Sequence, residues 1–315
     1  MRLHTFERGG QARLGAEQNG RLVDLAAVER ARGGELGRVF TDMLAFIQAG
    51  DLARQTAESA IEFAAAHGDT PDLSYAIDEV RILAPLLNPG KILCSGVNYK
   101  GHQAENSSAV LPETPGFFAK LNNTIIGPGT PIVHPKMTSQ LDYEIEFAVV
   151  LGKHLHKASE HAAVSAVFGY TILHDVSARD IQFKAPQHNQ ITLGKNFDTF
   201  APIGPCIVTI DELTDPANVR LRTFVNGAIL QDSSTSDWLF PLPYLLSFLS
   251  HVMTLEPGDI VTTGTPAGVG VFRNPQVFLK PGDLVRLDAE GIGTLENPVV
   301  AEDLPCQETI FDIHS

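Results

Sequence analysis

The sequence predicts a β-rich α+β protein, because apolar runs and turn residues alternate along most of its length. From residue 90 onward, short apolar runs are separated by turn motifs, a pattern typical of strands joined by tight turns. The clearest motifs are Asn226-Gly227, Pro257-Gly258-Asp259 and Pro281-Gly282-Asp283. Asn-Gly is typical of a two-residue hairpin turn, and Pro-Gly-Asp favours a turn that opens a strand. Two amphipathic helical stretches, 159–167 and 242–253, interrupt these strands.

The first 85 residues have a different pattern. Two strand-like pieces and then two helical stretches make up this part, at 3–6, 21–25, 36–47 and 51–67. A chain of 315 residues is long enough for two domains. We therefore predict a small N-terminal α/β appendage over residues 1–85 and a main domain over residues 86–315 that carries the candidate site.

The composition argues against several classes of partner. With 37 acidic and 23 basic residues, the net charge is −14, whereas nucleic acids and anionic membranes are bound by basic patches. The beginning of the chain lacks the apolar segment of a secretion signal, and no apolar stretch approaches the length of a membrane span. We therefore expect a cytoplasmic protein that binds no nucleic acid and no membrane.

Three acidic residues at the ends of apolar runs predict a metal site. Glu144 and Glu146 lie at the start of the run 147–151, and alternation along a strand directs both side chains to one face. Asp175 ends the apolar run 167–175. Grouped carboxylates repel one another and lose hydration unless a cation compensates. Three carboxylates suit a hard divalent ion such as Mg²⁺; the alternative is a polar strand end with the acids in water.

His102 and Glu105 predict a general base. In a helical turn their spacing places both side chains on one face, and a carboxylate beside an imidazole orients the ring and raises its basicity. The alternative is a chance pair on a surface helix. The polar segment 106–112 follows, and its composition suits a lid that substrate orders.

Two further residues are candidates for contacts to substrate. Lys195, as a cation near a metal-bound oxyanion, would stabilise developing negative charge. The alternative is an ordinary surface lysine. Thr265, in the tight loop 263–268, would offer a hydroxyl and a backbone N–H, although the loop would also be explained as a simple turn.

Arg179 and Gln182 follow the apolar run that ends at Asp175. A guanidinium can grip a carboxylate through two parallel hydrogen bonds, so the pair would orient an anionic substrate. The alternative for Arg179 is a salt bridge to Asp180 or Asp142.

The order of these motifs resembles the fumarylacetoacetate hydrolase family, and the resemblance covers residues 90–300. It is carried by Gly96-Val-Asn-Tyr99 with His102-x-x-Glu105, Asp142-Tyr-Glu-Ile-Glu146, His174-Asp-Val-Ser-Ala-Arg-Asp180, Leu193-Gly-Lys-Asn-Phe-Asp-Thr199 and Thr263-Gly-Thr-Pro-Ala-Gly-Val269. The resemblance is greatest to the acylpyruvase-like branch. It implies a mixed β-roll, a homodimer, and Mg²⁺, Mn²⁺ or Ca²⁺ held by the three acids. It also implies a His102–Glu105 dyad acting on water, with Lys195 at the oxyanion.

On this basis we expect a Mg²⁺-dependent hydrolase that cleaves a carbon–carbon bond in a small β-diketo acid such as acylpyruvate or fumarylpyruvate. The metal and Lys195 would stabilise the enolate that leaves. The alternative is an oxaloacetate decarboxylase, or another lyase or isomerase of 2-oxo acids, on the same metal site. A non-catalytic binding protein on this fold is a third possibility.

Overall fold

The computed structural model describes residues 1–67, 70, 72–105, 112–184 and 190–303. The strands are β1 (Arg2–Arg8), β2 (Gln11–Gln18), β3 (Arg21–Asp24), β4 (Ser74–Ala76), β5 (Arg81–Ile82), β6 (Ile92–Ser95), β7 (Phe117–Lys120), β8 (Ile125–Ile126), β9 (Ile132–His134), β10 (Leu141–Asp142), β11 (Ile145–Leu151), β12 (Val167–His174), β13 (Ser177–Ala178), β14 (Ala201–Thr209), β15 (Arg220–Val225), β16 (Ala228–Ser234), β17 (Ile260–Thr262), β18 (Leu284–Ala289) and β19 (Gly293–Ala301). The α-helices are α1 (Leu25–Ala31), α2 (Met43–Ala66), α3 (Lys100–Glu105), α4 (Glu160–Val164), α5 (Arg179–Gln182), α6 (Ile191–Lys195) and α7 (Leu242–Val252). This strand-rich mixture confirms the predicted α+β class.

The largest sheet of the described residues has the strand order β4-β3-β2-β1-β14-β12-β11-β17-β6-β7, with β5 paired to β1 and β8 to β14. Its middle is formed by β11 and β12, which run antiparallel with Glu146 opposite Leu173. All seven residues of β11 are buried, as expected for a strand with an apolar run that is covered on both faces. The candidate acids therefore lie at one end of two adjacent interior strands of this sheet.

A second sheet has the order β16-β15-β18-β19-β9. The predicted hairpin joins β15 to β16 at Asn226 and Gly227, whose φ angles of 51° and 82° suit a type I′ turn. The two Pro-Gly-Asp turns open β17 and β18 as predicted. Helices α4 and α7 occupy the two predicted helical stretches, and α4 is shorter than expected, beginning after the Ser159 cap and ending at Val164.

The N-terminal strands continue the main sheet. Strand β1 pairs antiparallel with β14, with Arg2 opposite Val208 and Leu3 opposite Ile207. Residues from α2, β6 and β11 share one buried apolar cluster. The division of the chain at residue 85 stays a prediction.

Several N-terminal details differ from the sequence prediction. Strand β2 and helix α1 were not predicted, since β2 has few β-branched or aromatic residues and α1 spans only seven residues. The predicted helix at 36–47 is instead a 3₁₀ helix, Leu36–Phe40, followed by the start of α2. Asp42 sets that start, because its side chain accepts a hydrogen bond from the Ala45 N–H at 2.8 Å. Helix α2 is kinked at Gly50, where φ is 60°.

None of the helices in the described ranges combines the length and apolar character that a membrane crossing requires.

Candidate active site

The three predicted acids meet at the ends of β11 and β12. Ile145 lies opposite His174 in the antiparallel ladder, and the Asp175 N–H donates to the Glu144 carbonyl at 3.0 Å. One carboxylate oxygen from each of Glu144, Glu146 and Asp175 lies within 4.8 Å of the others, and all three side chains are buried. The three acids that the sequence singled out therefore lie together in the structure.

Three buried cations surround these acids. The Lys195 Nζ atom donates to Glu144 Oε2 at 2.7 Å and to Asp175 Oδ2 at 2.5 Å. The Lys120 Nζ atom donates to Asp175 Oδ1 at 2.5 Å. Arg179 Nη2 donates to Glu144 Oε1. Glu144 and Asp175 are thus paired on both of their oxygens.

Glu146 differs from the other two acids, because its Oε2 atom is buried without a hydrogen-bond partner among the described residues. Burial, and then the like charges of Asp175 and Glu144, hold the pKa of Glu146 well above its ordinary value. Burial alone would raise the pKa of Glu144 too, but Arg179 and Lys195 outweigh it and lower this pKa to about 2. The cluster therefore contains one carboxylate that the protein's own cations do not compensate.

This arrangement fits a divalent cation. The donor set consists of carboxylate oxygens, which hard ions prefer, and a buried acceptor without a partner is costly unless something satisfies it. With Asp142, which pairs with Arg179, four buried carboxylates face three buried cations. With Glu146 ionised, one negative charge would remain among these described residues, and a bound cation would compensate it. Glu144, Glu146 and Asp175 are the candidate ligands.

The predicted dyad is assembled on α3. His102 Nδ1 lies 2.9 Å from Glu105 Oε2, and Glu105 Oε1 accepts from the Gly268 N–H at 2.7 Å. The side chains are 10% and 19% exposed, so the pair is not on an open helix surface. With Nδ1 directed at a carboxylate, Nε2 is the atom that can take a proton. Of the predicted lid, residues 106–111 lie outside the described residues.

Arg179 takes the alternative role considered for it. Its Nε atom donates to Asp142 Oδ2 at 2.8 Å and its Nη1 atom to Gln182 Oε1 at 3.0 Å. Asp180, the other partner considered, accepts instead from Thr138 Oγ1 at 2.5 Å. The guanidinium of Arg179 thus orients Asp142, Glu144 and Gln182, and a direct contact of Arg179 or Gln182 with substrate stays a prediction.

Lys195 is buried among the acids and is not an ordinary surface lysine. Burial disfavours its charged form, but Asp175 and Glu144 outweigh this and raise the pKa of the ammonium. An ammonium has three donors, so one further hydrogen bond can be directed at a substrate oxygen.

Thr265 lies in the loop that follows β17, and its Oγ1 atom accepts from Gln231 Nε2 at 2.8 Å. A hydroxyl that accepts can still donate, which leaves the predicted contact to substrate open.

Two buried residues of this region were missed in the sequence. Lys120 is the last residue of β7. The local sequence pointed to it only as a basic residue at the end of a short apolar run. Gln231 accepts from the Ile145 N–H at 3.1 Å and from Thr223 Oγ1 at 2.7 Å. It thereby connects the backbone between Glu144 and Glu146 to the Thr265 loop, through partners remote in sequence.

The family model described as fumarylacetoacetate (FAA) hydrolase C-terminal matches residues 91–300. The chain belongs to this family. It is 40% identical to the mitochondrial oxaloacetate tautomerase fahd2 of Xenopus laevis over 304 residues, which is 95% of this chain and 90% of that protein.

Solved structures agree with this assignment. The fumarylacetoacetate hydrolase of Exiguobacterium antarcticum is 36% identical, with a TM-score of 0.77 over 96% of this chain and 100% of the other. The maleylpyruvate hydrolase of Sphingobium sp. SYK-6, in complex with manganese(II) and pyruvate, is 29% identical, with a TM-score of 0.76 over 96% and 99%. Members of this family are enzymes, and one with this fold binds a divalent metal.

The expectation of a cytoplasmic protein is wrong, because the matching tautomerase is a mitochondrial protein. The expectation rested on the lack of an apolar secretion signal and of a membrane span, and neither observation distinguishes the cytosol from the interior of a mitochondrion.

Proposed function

We propose that the protein is a divalent-metal-dependent tautomerase that interconverts the enol and keto forms of a small 2-oxo diacid such as oxaloacetate. The observation that carries the proposal is the His102–Glu105 pair, a proton-transfer group, in one chain with three candidate metal ligands. The extensive similarity to an oxaloacetate tautomerase supports this choice of reaction. Tautomerisation replaces carbon–carbon hydrolysis as the first candidate, because it needs only the transfer of protons.

Glu144, Glu146 and Asp175 would hold the ion, which would supply Lewis-acid activation of the bound 2-oxo acid. Lys195 carries a charge that the neighbouring acids sustain, and it would stabilise negative charge on the substrate oxygen. His102 would deliver a proton from Nε2 to C3 of the enol, while the enol hydroxyl loses its proton to solvent. In the reverse direction Nε2 would remove the C3 proton. Glu105 would hold the ring in place through Nδ1 and leave Nε2 to transfer the proton.

Hydrolysis of an acylpyruvate is the second candidate. The same His102–Glu105 pair would activate water, and pyruvate enolate would leave. The similarity to a maleylpyruvate hydrolase solved with manganese(II) and pyruvate favours this alternative. Oxaloacetate decarboxylation would yield the same enolate without activating water.

The identity of the resident ion and the oligomeric state of the protein are also proposed. Mg²⁺ is proposed as the resident ion, with Mn²⁺ and Ca²⁺ as alternatives. A homodimer is proposed from the family resemblance, and light scattering on the purified protein would test it.

The test is a panel of substrates with and without Mg²⁺. We expect the protein to accelerate loss of the oxaloacetate enol absorbance, without matching CO₂ release, and to lose this effect with a chelator. Diketone loss from acetylpyruvate or fumarylpyruvate with release of pyruvate would replace the proposal with hydrolysis. Stoichiometric CO₂ would replace it with decarboxylation, and inactivity across the panel would contradict an enzyme of this kind.

A further inference from the structure

Helix α3, which carries the dyad, is held at both ends by loops from elsewhere in the chain. At its beginning the Gly101 N–H donates to Asp237 Oδ2 at 2.8 Å. At its end Glu105 accepts from the Gly268 N–H at 2.7 Å. A helix of six residues has little stability of its own, so these tertiary contacts set its position.

The space around the first contact is tight. A Cβ atom at Gly101 would lie 3.2 Å from Asp237 Oδ2 and 3.4 Å from the Ala267 Cβ atom. The beginning of α3 therefore contacts both loops closely, and only a residue without a side chain fits there without displacing a neighbour.

Asp237 is itself on a well-fixed segment. Trp238 forms an antiparallel bridge with Tyr99, and Asn98 Oδ1 accepts from the Phe240 N–H at 2.8 Å. The Leu239 N–H donates to the Asn98 carbonyl at 2.7 Å. Asn98 and Tyr99, which lie just before α3, thus fix the backbone next to Asp237. This places the Asp237 carboxylate against the beginning of α3.

We infer that Asp237 is a positioning residue for the His102–Glu105 dyad. Within the described ranges it forms no hydrogen bond or ion pair with Glu144, Glu146 or Asp175. Loss of Asp237 would therefore lower turnover by displacing α3, and not by disturbing the candidate metal ligands. The inference rests on the proposed proton transfer by His102, because only then does the placement of α3 limit the rate.

The test compares Asp237→Ala with Asp237→Asn, which keeps an oxygen acceptor. A small misplacement of a catalytic group can lower a rate by as much as about 100-fold, so we expect kcat of the alanine variant to fall by about 10- to 100-fold. KM and Mn²⁺ affinity should stay within about twofold, since the acids are untouched. The asparagine variant should recover most of the rate. Asp232→Ala, which removes an exposed carboxylate from the preceding strand, is the matched control and should keep wild-type kcat.

A second measurement separates positioning from a general loss of structure. In a His102→Ala background, Asp237→Ala should cause no further loss of the residual rate, because the group that it positions is gone. Equal losses in both backgrounds, wild-type kcat in Asp237→Ala, or no rescue by asparagine would each overturn the inference.

Hydrogen exchange tests the same contact without any substrate. Backbone amides of residues 98–105 should exchange faster in Asp237→Ala than in wild type, and unchanged exchange would overturn the inference. If wild-type protein lacks turnover but this exchange difference is present, the proposed function fails while the role of Asp237 in holding α3 stands.

Discussion

Replacing His102 with Ala is expected to lower kcat by about 10²- to 10⁴-fold, the usual contribution of a positioned general acid or base. The ring is fixed by Glu105 at 2.9 Å, and no alanine can take or deliver a proton. Steady-state kinetics with the oxaloacetate enol would measure the loss. Mn²⁺ content should remain that of wild type, since His102 is outside the set of candidate ligands.

The control for this variant is His154→Ala. The His154 side chain is 59% exposed and lies 3.8 Å from Glu256, so its removal should leave turnover unchanged. If decarboxylation were the reaction, His102→Ala would spare it much more, because the bond to CO₂ breaks without a general base to move a proton. Wild-type kcat for enol loss in His102→Ala would remove the dyad from the mechanism.

Replacing Glu146 with Gln is expected to weaken binding of divalent ions by more than about 100-fold. Losing only the hydrogen-bond partner of a metal ligand costs about 10- to 100-fold in affinity, and loss of a direct ligand should cost more. Without metal, the variant should be at least as stable as wild type, because it lacks a buried carboxylate whose charged form is opposed by burial and by Asp175 and Glu144.

Thermal unfolding with and without metal measures both effects. At a metal concentration of about 100 times Kd, wild type should gain about 2.7 kcal/mol, and Glu146→Gln should gain almost nothing. Glu256→Gln, at a carboxylate that is 52% exposed, is the matched control and should behave as wild type. Equal stabilisation of Glu146→Gln and wild type would exclude Glu146 as a ligand.

Local sequence patterns predicted the parts of the site that lie on single elements. Alternation at the start of β11 placed Glu146 together with Glu144, the residue just before the strand, and helical spacing placed His102 beside Glu105. The Asn226-Gly227 pair predicted its hairpin for the same reason, since the conformation it requires is local.

Contacts between distant segments left no such signal. Lys120 is 55 residues from Asp175 in sequence, and the partners of Gln231 lie on other elements. The antiparallel pairing of β1 with β14, with Arg2 opposite Val208, likewise depends on the assembled sheet. Local patterns therefore predicted which acidic and histidine side chains lie together better than which residues hold them in place.

The most direct test of the central claim is anomalous diffraction from crystals of the full chain with Mn²⁺. We expect one ion per chain, coordinated by a carboxylate oxygen from each of Glu144, Glu146 and Asp175. An anomalous peak elsewhere would contradict this metal site. So would the lack of any peak in crystals in which Lys195 still bonds both Glu144 and Asp175.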